Sequence, residues 1–526
     1  MSEQKNKQTF LHRFLNTIEW LGNILPNPVV LFVGFIAVLL AFSAIGAYFD
    51  VSVADPRPAG AAGRSADGVI RVVSLINGEG LAKIVSNLVP NFTGFAPLGT
   101  ALVALLGVGI AEKSGLIAAA MRLIVLKAPP RLVTPAVVFA GVMSNIASEL
   151  GYVVIIPLAG MVFYSLGRHP LAGVAAAFAG VSGGYSANLL IGTVDPVLSG
   201  ITQQAAQLIA PDYVVGAYAN WYFMAAGAVL VSLLGFWVTD KFVEPRLGAY
   251  KPSEQEKGSI NNGSMDIGRL SGAEKKGLLA ALAALLFLVV LTASAVVPEN
   301  APLRNPQTGG LDDSPFLQGI VALIFVFFAV AGLVYGYVAG TMSDSADVVE
   351  GMVGSMRSMA LYLVLMFFVS QFVAYFSWSN LGPILAVKGA GFLKEAGLTG
   401  GMLLICFIVI CCLINLAIAS ASAQWAVTAP IFVPMLMLAG YAPETVQAAY
   451  RIGDSVTNII TPMMPFFGLV LAVAIRYKKD TGVGTLVSLM LPYTVVFAIG
   501  WSLLFYVWVF VLGWPVGPGS ALFYRP

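Results

Sequence analysis

Apolar residues run along this chain in blocks about twenty long, set apart by short polar turns, and PVVLFVGFIAVLLAFSAIGAY at 28–48 is the first of them. A helix rises 1.5 Å per residue, so a block of that length covers the roughly 30 Å of hydrocarbon in a bilayer. Blocks over 28–48, 86–112, 171–195, 218–238, 276–297, 317–338, 358–378, 445–475 and 484–513 predict membrane-spanning helices. Two more apolar stretches, 132–166 and 400–440, do not fit a single crossing once charge is considered.

Lysine and arginine concentrate in the cytoplasmic loops of membrane proteins, and this orients the spans. With Lys5, Lys7 and Arg13 inside, 28–48 crosses outward and the Gly-, Asp- and Pro-rich segment 49–85 is an external loop. Arg122, Lys127 and Arg131 follow the second span on the inside, and Arg168 and His169 close the next stretch on the same side. Two inside ends around one apolar stretch make 132–166 a re-entrant hairpin. The loop at 197–217 holds no lysine or arginine, as befits the outside, whereas Lys241, Arg246, Lys251, Lys257, Arg269, Lys275 and Lys276 mark the next loop as internal. Asp312 and Asp313 fall in an external loop, and 341–357, with Arg357 its only basic residue, in an internal one. For 445–475 to deliver Arg476, Lys478 and Lys479 inside, 400–440 must begin and end outside. It is then a second hairpin, entering from the opposite face. The expected fold class is an all-α polytopic membrane protein, with about nine transmembrane helices plus two re-entrant helical hairpins arranged as an inverted repeat. Its N-terminus is expected in the cytoplasm and its C-terminus outside.

The two hairpins are followed by spans that begin and break alike. SNIASELGYVVIIP (144–157) precedes AAFAGVSGGYSANLLIGTVDP (176–196), and ASASAQWAVTAPIFVP (419–434) precedes AAYRIGDSVTNIITPMMP (448–465). Paired discontinuous helices in inverted repeats are where secondary transporters build a site near the bilayer midplane. Irregular backbone at that depth is tolerated only where it is buried or lines a wet cavity. Gly183-Gly184 and Thr461-Pro462 are the expected unwound points, whose free helix ends offer N–H groups to an anion and carbonyls to a cation. Residues 1–27 then read as a cytoplasmic leader or interfacial helix without a signal-peptide cleavage site, and 28–526 as a single transporter domain with core units 132–196 and 400–475.

Composition supports the membrane reading and narrows the partners. Of 526 residues 58% are hydrophobic and 10% charged, with 28 basic against 26 acidic side chains, so no nucleic-acid partner is indicated. The expected partners are the lipid bilayer and a small molecule. Cys406, Cys411 and Cys412 share one apolar segment and read as small core residues.

Charged and polar residues inside spans are the candidate chemistry. Arg451 and Asp454 lie three apart on one helix face and either neutralise one another or act as a switch between proton, cation and anionic substrate; the second reading is preferred because intramembrane charges are by default functional. Asp195, followed by Pro196, is a candidate proton or sodium carrier, or else a helix-terminal aspartate wetted by the external mouth. Asn145, Ser148, Asn188, Ser420, Ser422 and Asn458 are neutral oxygen donors at the hairpin tips and breaks, suited to a hard cation. Any one of them alone reads as helix–helix glue. A sodium ion is placed at Asn145, Asn188 and Asp195, with proton or sodium as the coupling ion and no other cofactor. Trp425 offers an aromatic face to a ring-containing substrate, and Glu149 a second carboxylate. His12 and His169 lie in the leader and a cytoplasmic turn.

The segments GYVVIIPL, HPLAGVAAAFAGVSGGYSANLLIGTVDP, SASAQWAVTAPIFVPMLMLAGYAPE and YRIGDSVTNIITPMMP resemble the AbgT family of p-aminobenzoyl-glutamate transporters, most closely its drug-efflux branch. The resemblance runs from EWLGNILPNP to VFVLGWPVGPG. It implies a homodimer of nine-helix subunits with two hairpins, in the inner membrane of a Gram-negative bacterium, moving p-aminobenzoyl-glutamate or sulfonamide antimetabolites with a coupled cation. It also implies transport roles for Asp195, Ser422, Trp425, Pro443, Arg451, Asp454 and Pro462. Proton-coupled efflux of sulfonamide-like compounds is the expected function, and import of p-aminobenzoyl-glutamate the alternative. An intramembrane enzyme would need a nucleophile with its base, or a metal motif, at membrane depth; no histidine lies in a predicted span and no H-E-x-x-H occurs. An open channel is disfavoured by the paired hairpins, which belong to alternating access.

Overall fold

The computed structural model describes residues 28–57, 64–147, 150–250, 270–311 and 314–525. The expected leader with His12, most of the basic loop through 251–269, Asp312, Asp313 and the hairpin-tip residues Ser148 and Glu149 lie outside the described residues. Helix dominates, and the one sheet among the described residues is a two-stranded antiparallel ribbon of β1 (Ser52–Ala54) and β2 (Val69–Arg71).

The chain order is α1 (Pro28–Tyr48), the β-ribbon, α2 (Gly78–Thr93), α3 (Ala96–Lys113), α4 (Leu116–Lys127), α5 (Val133–Ser144), α6 (Ile156–Ser165), α7 (Pro170–Phe178), α8 (Val194–Ala206) and α9 (Trp221–Val238). It continues through α10 (Gly272–Val296), α11 (Ile320–Ala339), α12 (Ser345–Ser358), α13 (Ala360–Trp378), α14 (Leu381–Glu395), α15 (Gly400–Asn415), α16 (Ala421–Leu438), α17 (Pro443–Val456), α18 (Phe467–Tyr477) and α19 (Val483–Tyr506). Eight of the described helical segments are long and apolar enough to cross a bilayer, α16 among them. α16 is an arm of a hairpin, so seven remain, one of them the run Gly78–Lys113 that α2 and α3 make together. The broken helices α7–α8 and α17–α18 bring the crossing elements among the described residues to nine. α1, and α10 beyond its charged first turns, are apolar on all sides and bury only four and two residues, the pattern of helices that meet lipid.

Both hairpins close at their base. In the first, α5 and α6, Arg168 just beyond the second arm donates to Thr134 at the start of the first, 2.7 Å. In the second, α15 and α16, the Tyr441 hydroxyl donates to the carbonyl of Gly400, 2.7 Å. The bases lie at opposite ends of α9. Arg168 also pairs with Asp240 and Glu244 beyond its C-terminus. At its N-terminus, Ala219 and Phe223 bond to the C-terminal tail at Ser520 and Val516, and Leu522 of that tail holds Ala442 and Thr445 beside the second base. The hairpins therefore enter from opposite faces, which makes the repeat an inverted one.

A single contact recurs in both units. Asn145 at the end of α5 donates to the carbonyl of Gly184, 39 residues on, and Asn415 at the end of α15 donates to the carbonyl of Asp454, again 39 residues on. Each hairpin tip is thus tied by an asparagine amide to the backbone of the broken helix that follows it. Close packing needs glycine in the second unit: a Cβ on Gly453 would meet Cys411 Cβ at 2.4 Å and the Ile408 carbonyl at 2.8 Å. Without that gap α15 could not lie against α17.

Several sequence expectations need correction. The expected span 171–195 runs further than its expected end. After the expected break near Gly183-Gly184, a π-helical turn at Ala179–Gly183 followed by irregular backbone, it resumes as α8 to Ala206. The segment read as an external loop at 197–217 contains most of α8, a buried half-helix whose apolar face was masked by glutamines and threonine. The internal loop 341–357 is largely α12, begun by an Asp344–Asp347 capping box. The basic patch is the helix α4, and α14 was not anticipated; both are bent sharply against the next helix, by 119° and 120°. The expected break at Thr461-Pro462 is present, as a 3-10 turn at Asn458–Ile460 and irregular backbone to Phe466.

Candidate functional site

The helix α17 starts at Pro443, whose missing N–H and fixed φ suit the first helical position. All 14 of its residues are buried, yet it carries Glu444, Gln447, Arg451, Asp454 and Ser455. These recur at helical spacing and form one polar stripe, continued by Asn458. A buried helix with such a stripe has to be met by polar partners on its neighbours.

Arg451 finds its partner in the other repeat. Its Nη2 donates to Oδ1 of Asp195, and its Nη1 points at the sulfur of Met224 on α9. Asp195 stands in the first turn of α8, where the helix dipole favours a carboxylate, and its Oδ2 accepts from the Gly192 backbone at 2.5 Å. Both residues are almost wholly buried, at 2% and 3% exposure. The anticipated alternatives, an Arg451–Asp454 pair and a solvent-wetted Asp195, are both replaced by this bridge between the units.

Asp454 is 0% exposed and neither carboxylate oxygen accepts a hydrogen bond. Tyr450, one turn earlier, lies against the Asp454 carboxylate but gives its hydroxyl to the Ala421 carbonyl at 2.6 Å. Asn415 donates to the Asp454 carbonyl, to Thr457 and to Asn458, at 2.6–2.9 Å, while its own Oδ1 has no donor. Gln424 Oε1, whose amide nitrogen donates to Cys411, is a further buried acceptor without a donor. The junction of the second hairpin with α17 thus holds three buried side chains, Asn415, Gln424 and Asp454, with acceptor oxygens of the kind a hard cation or a proton takes. The sequence reading missed Asn415 and Gln424; the 39-residue spacing shared with Asn145 was the signal that could have found Asn415.

The other expected residues divide between this buried layer and a cavity of about 560 Å³. Ser420, Ser422 and Asn458 line the cavity, together with Thr193 beside the first break. Pro462 is half-buried in the second break. Asn145 is buried, its Oδ1 without a donor, and Asn188 Oδ1 accepts from the Leu190 backbone at 3.2 Å. Of the expected sodium set, Asp195 is engaged by Arg451 and Gly192 and Asn188 by the Leu190 backbone, while Asn145 Oδ1 accepts no hydrogen bond among the described residues. Trp425 does not line the cavity: it is fully buried, its Nε1 donates to Thr202 at 2.9 Å, and its ring stacks on Tyr450. His169 caps α7 by accepting from the Leu171 backbone. Ser148 and Glu149 fall outside the described residues, among which no three His, Cys, Asp or Glu are placed to hold a metal.

Oppositely inserted hairpins, two broken helices and a buried charge bridge between them define a multi-pass membrane protein of the transporter class. The chain belongs to the AbgT putative transporter family, which it matches over residues 13–524. It is 39% identical over 504 residues to the p-aminobenzoyl-glutamate transport protein of Escherichia coli strain K12, covering 95% of each chain. The solved structure of Neisseria gonorrhoeae MtrF, described as illuminating a class of antimetabolite efflux pumps, matches with a TM-score of 0.91 at 61% identity. The match covers 97% of this chain and 100% of that one. The Alcanivorax borkumensis YdaH transporter, described as having an unusual topology, matches with a TM-score of 0.87 at 45% identity, over 94% and 100% of the two chains.

Proposed function

We propose that this chain is a secondary active transporter that exports sulfonamide-like antimetabolites and related aromatic compounds, driven by the proton gradient. One observation carries the reading: a single buried guanidinium, Arg451, is bound to Asp195 while the carboxylate of Asp454, three residues away, forms no salt bridge. A buried carboxylate without a donor is costly until it takes a proton, a cation or the arginine itself. Protonating Asp454 from one face and releasing the proton to the other would change which carboxylate Arg451 serves. Because Arg451 and Asp195 sit in opposite units, that exchange couples to movement of one unit against the other. The likeness to MtrF supports the antimetabolite substrate. The setting is the inner membrane of a Gram-negative bacterium, with the N-terminus in the cytoplasm and the C-terminus outside, and the subunits pair as a homodimer.

A sodium- or proton-coupled importer of p-aminobenzoyl-glutamate is the second reading. It is favoured by the unpartnered oxygens of Asn415, Gln424 and Asp454 and by the likeness to the E. coli protein. Proteoliposomes with an imposed proton or sodium gradient, loaded with labelled sulfadiazine or p-aminobenzoyl-glutamate, separate the two. Proton-driven extrusion of the sulfonamide is expected. Sodium-driven accumulation of p-aminobenzoyl-glutamate, with no proton-dependent sulfonamide flux, would replace the first reading by the second.

A further inference from the structure

The cavity has an aromatic wall, and it is not the tryptophan that the sequence offers. Trp425 and Tyr450 stack with centroids 4.1 Å apart and planes 23° from parallel, behind the cavity surface. Tyr152 and Phe466 do line the cavity, and their rings stack at 4.7 Å and 15°. Tyr152 comes from the π-helical turn Gly151–Ile155 that opens the second arm of the first hairpin. Phe466 comes from the irregular backbone between the 3-10 turn after α17 and α18. The tyrosine is 5% exposed and its hydroxyl points at the sulfur of Met464, 3.6 Å away, whereas Phe466 is only half-buried.

We propose that Phe466, held flat by Tyr152 behind it, is the surface on which the aromatic ring of the transported compound stacks, so that this pair sets the preference for aromatic over saturated substrates. The inference rests on the aromatic-substrate reading above. A volume of about 560 Å³ lies in the range of small-molecule sites, which are mainly apolar with a few placed polar groups. Ser420, Ser422 and Asn458 supply such groups in the same cavity, for the amide, sulfonyl or carboxylate end of the ligand. A third ring added to an existing stack meets a planar apolar surface already held in orientation, so little side-chain freedom is lost on binding. The two rings belong to opposite units of the repeat. Displacing one unit against the other separates them, and the platform then exists only in those arrangements where hairpin and break are apposed.

The test is calorimetric binding to the purified full-length protein of p-aminobenzoyl-glutamate and of its saturated analogue, 4-aminocyclohexanecarbonyl-glutamate. Phe466→Leu keeps an apolar side chain but removes the plane. It should weaken the aromatic ligand about 3- to 10-fold and the saturated one less than about 2-fold. Tyr152→Leu should shift the same ratio in the same direction, and serves if Phe466→Leu does not fold; Phe466→Tyr should keep the wild-type ratio. Equal losses for both ligands, or none, would overturn the platform while leaving the aromatic-substrate reading intact. Wild-type protein that binds neither ligand nor sulfadiazine would remove both.

Discussion

Arg451 donates to the carboxylate of Asp195, 256 residues earlier in the chain, and so ties the broken helix of the second repeat to that of the first. The guanidinium has no partner for Nε, and Asp454 has none for either oxygen. One cation therefore stands between two carboxylates of unequal standing. Removing one partner of a buried pair costs about 3–5 kcal/mol, because the charge left behind is uncompensated.

Asp195→Asn and Asp454→Asn should therefore fail differently. Asp195→Asn takes the partner from Arg451 and lowers the melting temperature as well as transport. Asp454→Asn removes a carboxylate that forms no salt bridge, so the protein should melt near the wild-type temperature while gradient-driven flux in proteoliposomes is lost. Wild-type flux in Asp454→Asn would end its role as the switching group.

The contact between the second hairpin and α17 depends on the absence of a side chain at Gly453. Gly453→Ala puts a methyl 2.4 Å from Cys411 Cβ and 2.8 Å from a backbone carbonyl that cannot swing away. Overpacking of this kind costs about 1–3 kcal/mol. Gly468→Ala, with nothing within 4 Å of the new atom, should change stability by less than about 0.5 kcal/mol. Equal thermal shifts for the two variants would mean that the close approach of α15 to α17 is not needed.

Much of this was legible in the sequence, for identifiable reasons. Apolar block length and the placement of Arg168, Lys478 and their neighbours gave the hairpins and their opposed entry, because the cost of burying charge acts on each loop independently of the rest of the fold. The breaks at Gly183-Gly184 and Thr461-Pro462 were visible because glycine and proline act locally on backbone. What stayed hidden depended on long-range pairing. Nothing near Asp195 in sequence announces Arg451, and helical proximity falsely offered Asp454 instead. Trp425 looked like a binding surface because a deep tryptophan is conspicuous, and only the packing reveals that Tyr450 already covers its ring. α8 was missed because Gln203 and Gln204 read as a loop when their buried partners are unknown.

A pH effect is expected in the segment between α1 and α2. Burial opposes the charged form of Asp55, but hydrogen bonds from the Arg57 side chain and backbone, with Arg64 nearby, outweigh it and hold the carboxyl below its ordinary value of 3.8. A depressed folded value gives stabilisation that is complete above 3.8 and is lost as pH falls through the lower folded value. Asp55→Asn should thus speed proteolytic nicking of residues 49–77 at neutral pH. With an acid-active protease, the gap from wild type should close only below pH 3.8. A gap that closed near pH 6 would point to another titrating group.

The opposed entry of the hairpins makes the final prediction. The base of the first hairpin brings Thr134 and Arg168 together at one end of α9, and the base of the second brings Gly400 and Tyr441 together at the other. Single cysteines are best placed at exposed residues flanking each base: Arg131 and Ser165 for the first, Ala396 and Ala439 for the second. The background replaces Cys406, Cys411 and Cys412 with alanine, so that only the new thiol reacts. A membrane-impermeant maleimide applied to intact cells should label Ala396→Cys and Ala439→Cys, and leave Arg131→Cys and Ser165→Cys unmodified until the inner membrane is opened. Lysine and arginine near the first base set that direction through the positive-inside rule. Reversal of the whole pattern would invert the orientation and keep the repeat. Labelling of the two ends of one hairpin from opposite faces would make that hairpin a crossing pair, and would remove the symmetry that relates the two units bridged by Asp195 and Arg451.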